Sequence, residues 1–276
     1  MPIDDLGSTL AGADAWGAPH VAVAVIGADG VLGTHGDLER IFRWASLTKL
    51  LTATAVLSAV DDGDIDLDEP AGPPGATVRH LLAHASGLPF DGVAAVTRVG
   101  SRRVYSNGGF DVLGALLADR DGGTVQDSLR ARVLVPLGMR ATVLRDRPSQ
   151  GLHGPLTDLV AFAGDLLCPA ILRPATAAAM RTVAFPGLKG VLPGVGPFDP
   201  LDWGLGPELR ADKSPHWTGT RNSPGTFGHF GGSGTFLWVD PALDIALVCL
   251  TDRDVGPWAL QAWPLFSDRV IAAIGG

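Results

Sequence analysis

Hydrophobic positions fall into three kinds of run along the chain. Residues 21–26, Val-Ala-Val-Ala-Val-Ile, are continuously apolar and β-favourable, and Asp29-Gly30 turns them into residues 31–35, which predicts a hairpin. Two similar runs, 235–239 and 245–250, are joined by Asp240-Pro241-Ala242-Leu243. Between these ends the pattern is helical. The run Leu50-Leu51-Thr52-Ala53-Thr54-Ala55-Val56-Leu57 meets no glycine or proline until Gly63, which predicts a helix from about Ser46 capped by Gly63. It is apolar almost all round, the signature of a buried core helix. Further helices are expected over 77–85, 109–120, 124–135, 157–167 and 174–182, so that 64–182 is mostly helical. Pro136 stops the helix over 124–135, and Gly138 closes it. A short helix over 3–15, weakened by Gly7 and Gly12, and a longer one over 258–274 complete the set. Residues 186–228 are rich in Gly and Pro and carry Trp203 and Trp217; such a stretch either lines a site or is a plain surface excursion.

Hairpin, helices, then hairpin predict an α+β fold, with an antiparallel sheet built from both chain ends. The division expected is 1–63 with 186–276 as the sheet part, and 64–185 as an inserted helical part. At 276 residues with 46% hydrophobic content the chain buries a substantial core. A formal charge of −8 argues against nucleic acid or an anionic membrane as partner. Cys168 and Cys249 are too few for a disulfide framework, although one bridge stays open. The N-terminal Met1-Pro2-Ile3-Asp4-Asp5 shows no apolar signal segment, and no run is long enough to span a membrane. The expectation is a soluble cytoplasmic protein.

Ser46 and Lys49 stand three apart at the start of the buried helix, so their side chains share a face. Burial disfavours an ammonium ion, and a serine beside a neutral amine is an activated nucleophile. The plainer alternative is a capping serine and a lysine snorkelling to solvent. Composition weighs against it. The chain has 21 basic residues, of which only Lys49, Lys189 and Lys213 are lysine, and arginine cannot release its proton. The sole tyrosine, Tyr105, and one of two asparagines, Asn107, sit together in Tyr105-Ser106-Asn107. Two other patterns carry less. The acidic stretch 61–69 lacks the Gly and Glu positions of a calcium loop, so it reads as solvated. His80 and His84 stand i, i+4, but Leu81 replaces the glutamate of a zinc-protease helix. Neither a metal nor another cofactor is implied.

Ser46-x-x-Lys49, Tyr105-x-Asn107 and His229-x-Gly231 occur in the order of the Ser-x-x-Lys enzymes, which include β-lactamases and penicillin-binding proteins. The chain resembles their class C β-lactamase branch, with its DD-peptidases and esterases. The likeness extends to Phe42-Arg43-Trp44-Ala45, Arg79–Pro89, Val135-Pro136-Leu137-Gly138-Met139 and Trp238-Val239-Asp240-Pro241, covering roughly residues 20–255. The resemblance implies a sheet flanked by helices with the site in the cleft between the two parts. It implies Ser46 as acylated nucleophile and Lys49 as its proton acceptor. Tyr105 would shuttle a proton as phenol, or as phenolate if Lys49 lowers its pKa. Asn107 would bind Lys49 and substrate, His229 and Gly231 would lie on the strand beside the substrate, and the N–H groups of Ser46 and Gly232 would form the oxyanion hole.

His229 stands where class C β-lactamases usually have lysine. A largely neutral imidazole grips a substrate carboxylate weakly, and acidification would be expected to charge it. The function expected is hydrolysis of a small carboxylic ester or amide through an acyl-enzyme on Ser46. A β-lactamase or D-amino-acid peptidase is the alternative enzyme, and a non-catalytic ligand-binding homologue the alternative outside enzymes.

Overall fold

The structure is a computed structural model that describes residues 4–275. Its main sheet is six-stranded and antiparallel, in the order β2-β1-β11-β10-β9-β8. The strands are β1 (Val21–Gly27), β2 (Gly30–Gly36), β8 (Glu208–Leu209), β9 (Phe227–Gly231), β10 (Thr235–Asp240) and β11 (Ile245–Thr251). The two chain ends meet where β1 pairs with β11, from Val21 opposite Thr251 to Gly27 opposite Ile245. Both strands are buried at every position, which is why they read as unbroken apolar runs. Successive side chains point to opposite faces. Ala22, Ala24 and Ile26, with Ala246, Val248 and Leu250, join one core; Val21, Val23 and Val25, with Ile245, Leu247 and Cys249, join the other.

The helices are α1 (Asp4–Ala11), α2 (Thr48–Asp62), α3 (Val78–Leu82), α4 (Asn107–Asp121), α5 (Val125–Leu129), α6 (Leu156–Leu167), α7 (Pro174–Met180) and α8 (Pro257–Gly275). Helix α8 lays Trp263, Phe266 and Val270 on the face that holds Val23 and Leu247. Helix α6, from within the 64–185 stretch, packs on β1, β10 and β11, and α2 packs on α4 in the same larger core. A small sheet, β3 (Phe42–Arg43), β5 (Leu152–Gly154) and β4 (Val143–Leu144), braces the start of α2. A ribbon of β6 (Gly190–Leu192) and β7 (Gly196–Phe198) belongs to the Gly/Pro-rich stretch.

Helix α2 is buried from Thr48 to Leu57, as its all-round apolar pattern requires. It ends at Gly63 (φ 84°), whose N–H reaches the carbonyls of Ala59 and Val60. The expected helix over 77–85 is shorter. It closes at Leu82, and His84 turns into the left-handed region (φ 54°), so the two histidines do not share a helix face. His80 stacks on Phe185 at 4.3 Å and bonds the Thr77 hydroxyl instead. Helix α4 begins two residues earlier than expected because Ser106 caps it, its hydroxyl accepting from the Gly109 N–H at 3.0 Å. The helix expected over 124–135 is α5 followed by a π-turn over Arg130–Leu134. Cys168 and Cys249 are both free thiols, so the bridge left open by sequence does not form. Among the described residues no helix is long and apolar enough to cross a membrane.

Candidate active site

The turn into α2 is the most constrained backbone of the site. Ala45 sits at φ 48°, a conformation that a residue with a Cβ adopts at a cost of about 1–2 kcal/mol. The turn persists because its neighbours hold it from outside. Thr235 Oγ1 donates to the Trp44 carbonyl at 3.0 Å, Ser233 Oγ to the Arg43 carbonyl at 2.7 Å, and Thr48 Oγ1 to the Ala45 carbonyl at 2.7 Å. Gly231 lets β9 come this close. A Cβ there would stand 2.5 Å from the Trp44 carbonyl and 2.4 Å from Thr235 Oγ1. The strand carrying His229 is thereby bolted to the turn carrying Ser46.

Lys49 is fully buried beneath Ser46. Its Nζ lies 3.2 Å from Ser46 Oγ, 2.6 Å from Asn107 Oδ1 and 2.8 Å from the Ser149 carbonyl, and no carboxylate touches it. Burial pulls its pKa from 10.5 down to about 7, against smaller upward pulls from Asp111 and Asp91 and a further downward one from Arg147. A neutral amine has two N–H bonds and one lone pair. Asn107 Oδ1 and the Ser149 carbonyl take the two N–H bonds, which leaves the lone pair for the Ser46 hydroxyl.

Tyr105 packs beside this group, with Lys49 Nζ 4.8 Å from its ring centroid. Its hydroxyl is 3.3 Å from His229 Nε2 and faces the Ser46 hydroxyl. Burial raises the phenol pKa above its ordinary value, so of the two expected forms, phenol and phenolate, the resting group is the phenol. His229 Nδ1 lies 2.6 Å from the Phe230 carbonyl, which can only accept. Nδ1 therefore carries the proton, and Nε2 accepts from the Tyr105 hydroxyl. Burial, helped by Lys49, lowers the His229 pKa to about 3. The expectation that mild acidification charges it is overturned. This histidine is a neutral acceptor for the phenol.

Three contributors escaped sequence reasoning. Ser149 acts through its carbonyl, which no residue identity announces. His84, buried behind Tyr105, stacks on that ring at 4.6 Å, and its Nδ1 accepts from the Ser106 N–H. Asp91 accepts from Asn107 Nδ2 at 3.3 Å. Only His84 left a sequence signal, as one of the two histidines of the stretch Arg79–Pro89.

Ser46 opens into a cavity of about 220 Å³. Its wall includes Tyr105, His229 and Gly232, and apolar groups such as Phe90, Trp203 and Val255. Leu192, Pro193 and Gly194 come from the Gly/Pro-rich stretch, which therefore lines the site rather than making an idle excursion. Among the described residues no lysine or arginine lines this cavity, whereas Glu208 does, its carboxylate ion-paired with Lys213 at 3.0 Å and accepting from His216 and Trp217. Burial alone would raise the pKa of Glu208; His216 and Lys213 hold it down to about 2. The structure thus brings Ser46, Lys49, Tyr105, Asn107, His229, Gly231 and Gly232 together around one cleft.

Known proteins share this fold. The crystal structure of a beta-lactamase from Mycobacterium bovis is 52% identical and superposes with a TM-score of 0.94, over 96% of this chain and 98% of that one. A hydrolase with promiscuous acyltransferase activity shares the fold at 19% identity, TM-score 0.80, over 99% of both chains. A D-alanyl-D-alanine-carboxypeptidase/endopeptidase (AmpH) of Escherichia coli K12 is 29% identical over 182 residues. That match takes in 49% of this chain and 47% of the relative, so the chain aligns with about half the length of that protein. The beta-lactamase family profile matches residues 11–266, nearly the whole sheet-and-helix body around the Ser46 cleft, and the chain belongs to that family of serine hydrolases.

Proposed function

We propose that the protein hydrolyses small uncharged carboxylic esters, and activated amides, through an acyl-enzyme on Ser46. The observation that carries this reading is the hydrogen bonding of Lys49. Both of its N–H bonds are engaged elsewhere, so its lone pair faces the Ser46 hydroxyl at 3.2 Å. In the first step Lys49 takes the Ser46 proton as Oγ attacks the carbonyl carbon. The oxyanion lies between the N–H groups of Ser46 and Gly232, two cavity-lining residues on segments tied together through Gly231. Tyr105, kept protonated by burial, gives its proton to the leaving oxygen, and the Lys49 ammonium restores it. Water then attacks the acyl-enzyme along the reverse proton path.

The uncharged substrate class is supported by the cavity's charges. A substrate carboxylate would meet neutral His229 and a Glu208 whose charge Lys213 already balances, with no lysine or arginine among the lining side chains to grip it. A second reading, β-lactam or D-alanyl peptide cleavage, is favoured by the likeness to the Mycobacterium bovis beta-lactamase and the Escherichia coli D-alanyl-D-alanine-carboxypeptidase/endopeptidase. One panel separates them: p-nitrophenyl acetate and butyrate, nitrocefin, and a D-Ala-D-Ala peptide. The ester reading expects kcat/KM for the better ester to exceed that for nitrocefin by more than tenfold. A preference for nitrocefin or the peptide transfers the assignment to the second reading.

A further inference from the structure

The hydrogen bonding around Lys49 depends on which way one amide faces. Asn107 presents its oxygen to Nζ at 2.6 Å and its nitrogen to Asp91 Oδ1 at 3.3 Å. Turned by half a revolution, the amide would aim its N–H bonds at Lys49. An amide N–H would then occupy the amine lone pair and displace the Ser46 hydroxyl from it. Local packing does not select between the two faces, because amide oxygen and nitrogen have nearly the same size. The acceptor on the far side does.

Asp91 is itself held. Arg147 Nη2 donates to Asp91 Oδ1 at 2.8 Å, and Arg147 Nη1 to Asp111 Oδ2 at 3.1 Å. Asp111 lies one helical turn after Asn107 on α4. Arg147 stands two residues before Ser149, whose carbonyl is the second acceptor for Lys49. Three separate segments thus lock around the amide from outside, none of them touching the Ser46 hydroxyl.

We infer that Asp91, fixed by the Arg147–Asp111 bridge, is a positioning residue that keeps the Asn107 amide oxygen turned toward Lys49. It rests on Lys49 lying beside a working Ser46, but its test needs no turnover. The charged and titratable groups around Lys49 are Asp91, Asp111 and Arg147 on one side, and Tyr105, His84 and His229 on the other. Removing the Asp91 charge lowers the Lys49 pKa whatever the amide does, so the experiment separates charge from orientation. Asp91→Asn and Asp91→Ala both remove the charge, but only Asp91→Asn keeps an oxygen that accepts from Asn107 Nδ2.

With three lysines in the chain, protein labelled at lysine ¹³Cε and ¹⁵Nζ gives few signals, and Lys49→Arg assigns the one from Lys49. Its titration is followed in wild type, Asp91→Asn and Asp91→Ala. The expected midpoint falls in both variants, and in Asp91→Ala by about 0.5 pH unit or more beyond Asp91→Asn. Equal shifts would mean that Asp91 acts by charge alone and would overturn the inference, as would no shift in either. Asp91 is half exposed on a loop, and thermal melts of both variants confirm that the folded protein is being titrated. Loss of ester turnover in wild type would overturn the proposed substrate class and leave this titration unaffected.

Discussion

Two of the three lysines are buried, and their surroundings differ in one respect. Lys213 Nζ donates to the Asp202 and Leu209 carbonyls and forms an ion pair with Glu208 at 3.0 Å. An ammonium there finds three acceptors, one of them anionic. Lys49 also has three partners, but all are neutral: a hydroxyl, an amide oxygen and a carbonyl. Burial of a charge without a counter-charge favours the neutral form, whereas burial of a hydrogen-bonded pair keeps the charge. The contrast supports the proposed role of Lys49 as proton acceptor and gives Lys213 the role of counter-ion to Glu208. Exposure alone does not separate them.

The sharpest break of the contrast is the same substitution at both positions. Lys49→Arg keeps a cation and helix propensity but accepts no proton, so acylation by p-nitrophenyl acetate should fall about 10³-fold or more, some 4 kcal/mol. Retention of a tenth of the wild-type rate would make Lys49 a structural cation. Lys213→Arg keeps what that site needs, and stopped-flow traces on the two variants should differ by orders of magnitude. Conversely, Lys213→Met strands the Glu208 carboxylate and should lower stability by about 3 kcal/mol, read from denaturant midpoints.

Next in size is Tyr105→Phe. It preserves the ring packing against His84 and removes the hydroxyl between Ser46 and His229. A kcat loss of about 10²-fold with a small change in melting temperature is expected. A large stability loss with kcat intact per folded molecule would return Tyr105 to the core.

The pH profile sharpens the comparison further. The Lys49 amine must be neutral to act, and it gains a proton as pH falls through about 7. Thus kcat/KM should drop tenfold per unit below that point, along a single limb between pH 5 and 8. His229, at about 3, contributes nothing in that window. A second limb near pH 6 in wild type that vanishes in His229→Gln would show that the imidazole titrates after all.

The smallest effect concerns selectivity. His229→Lys places a cation on the cavity wall, and it should raise nitrocefin turnover relative to ester by about five- to thirtyfold, or 1–2 kcal/mol. An unchanged ratio would remove His229 from substrate discrimination.

Much of this was legible in the sequence, for identifiable reasons. The runs 21–26 and 245–250 announce strands covered on both faces, and Leu50–Leu57 announces a helix buried all round, because burial on every side leaves no polar periodicity to misread. Ser46 and Lys49 meet through local helical geometry. The rest depends on contacts between distant segments: Lys49 with Ser149 spans 100 residues, and Tyr105 with His229 spans 124. Burial between such distant segments keeps Tyr105 a phenol and His229 neutral, so the sequence leaves phenol and phenolate both open and does not show that mild acid fails to charge the histidine. The helix over 77–85 runs shorter than its pattern suggests for a local reason, the left-handed backbone at His84, which breaks the spacing a helix would give the two histidines.

The account rests on Ser46 being the residue that becomes acylated, and one measurement reaches that claim directly. Wild type and Ser46→Ala are treated with a fluorophosphonate probe, intact mass is recorded, and the adduct is mapped by peptide sequencing. A single adduct on Ser46, absent from the variant, is the predicted result. An adduct on another residue, or one that persists in Ser46→Ala, would contradict the assignment of this cleft as the catalytic site.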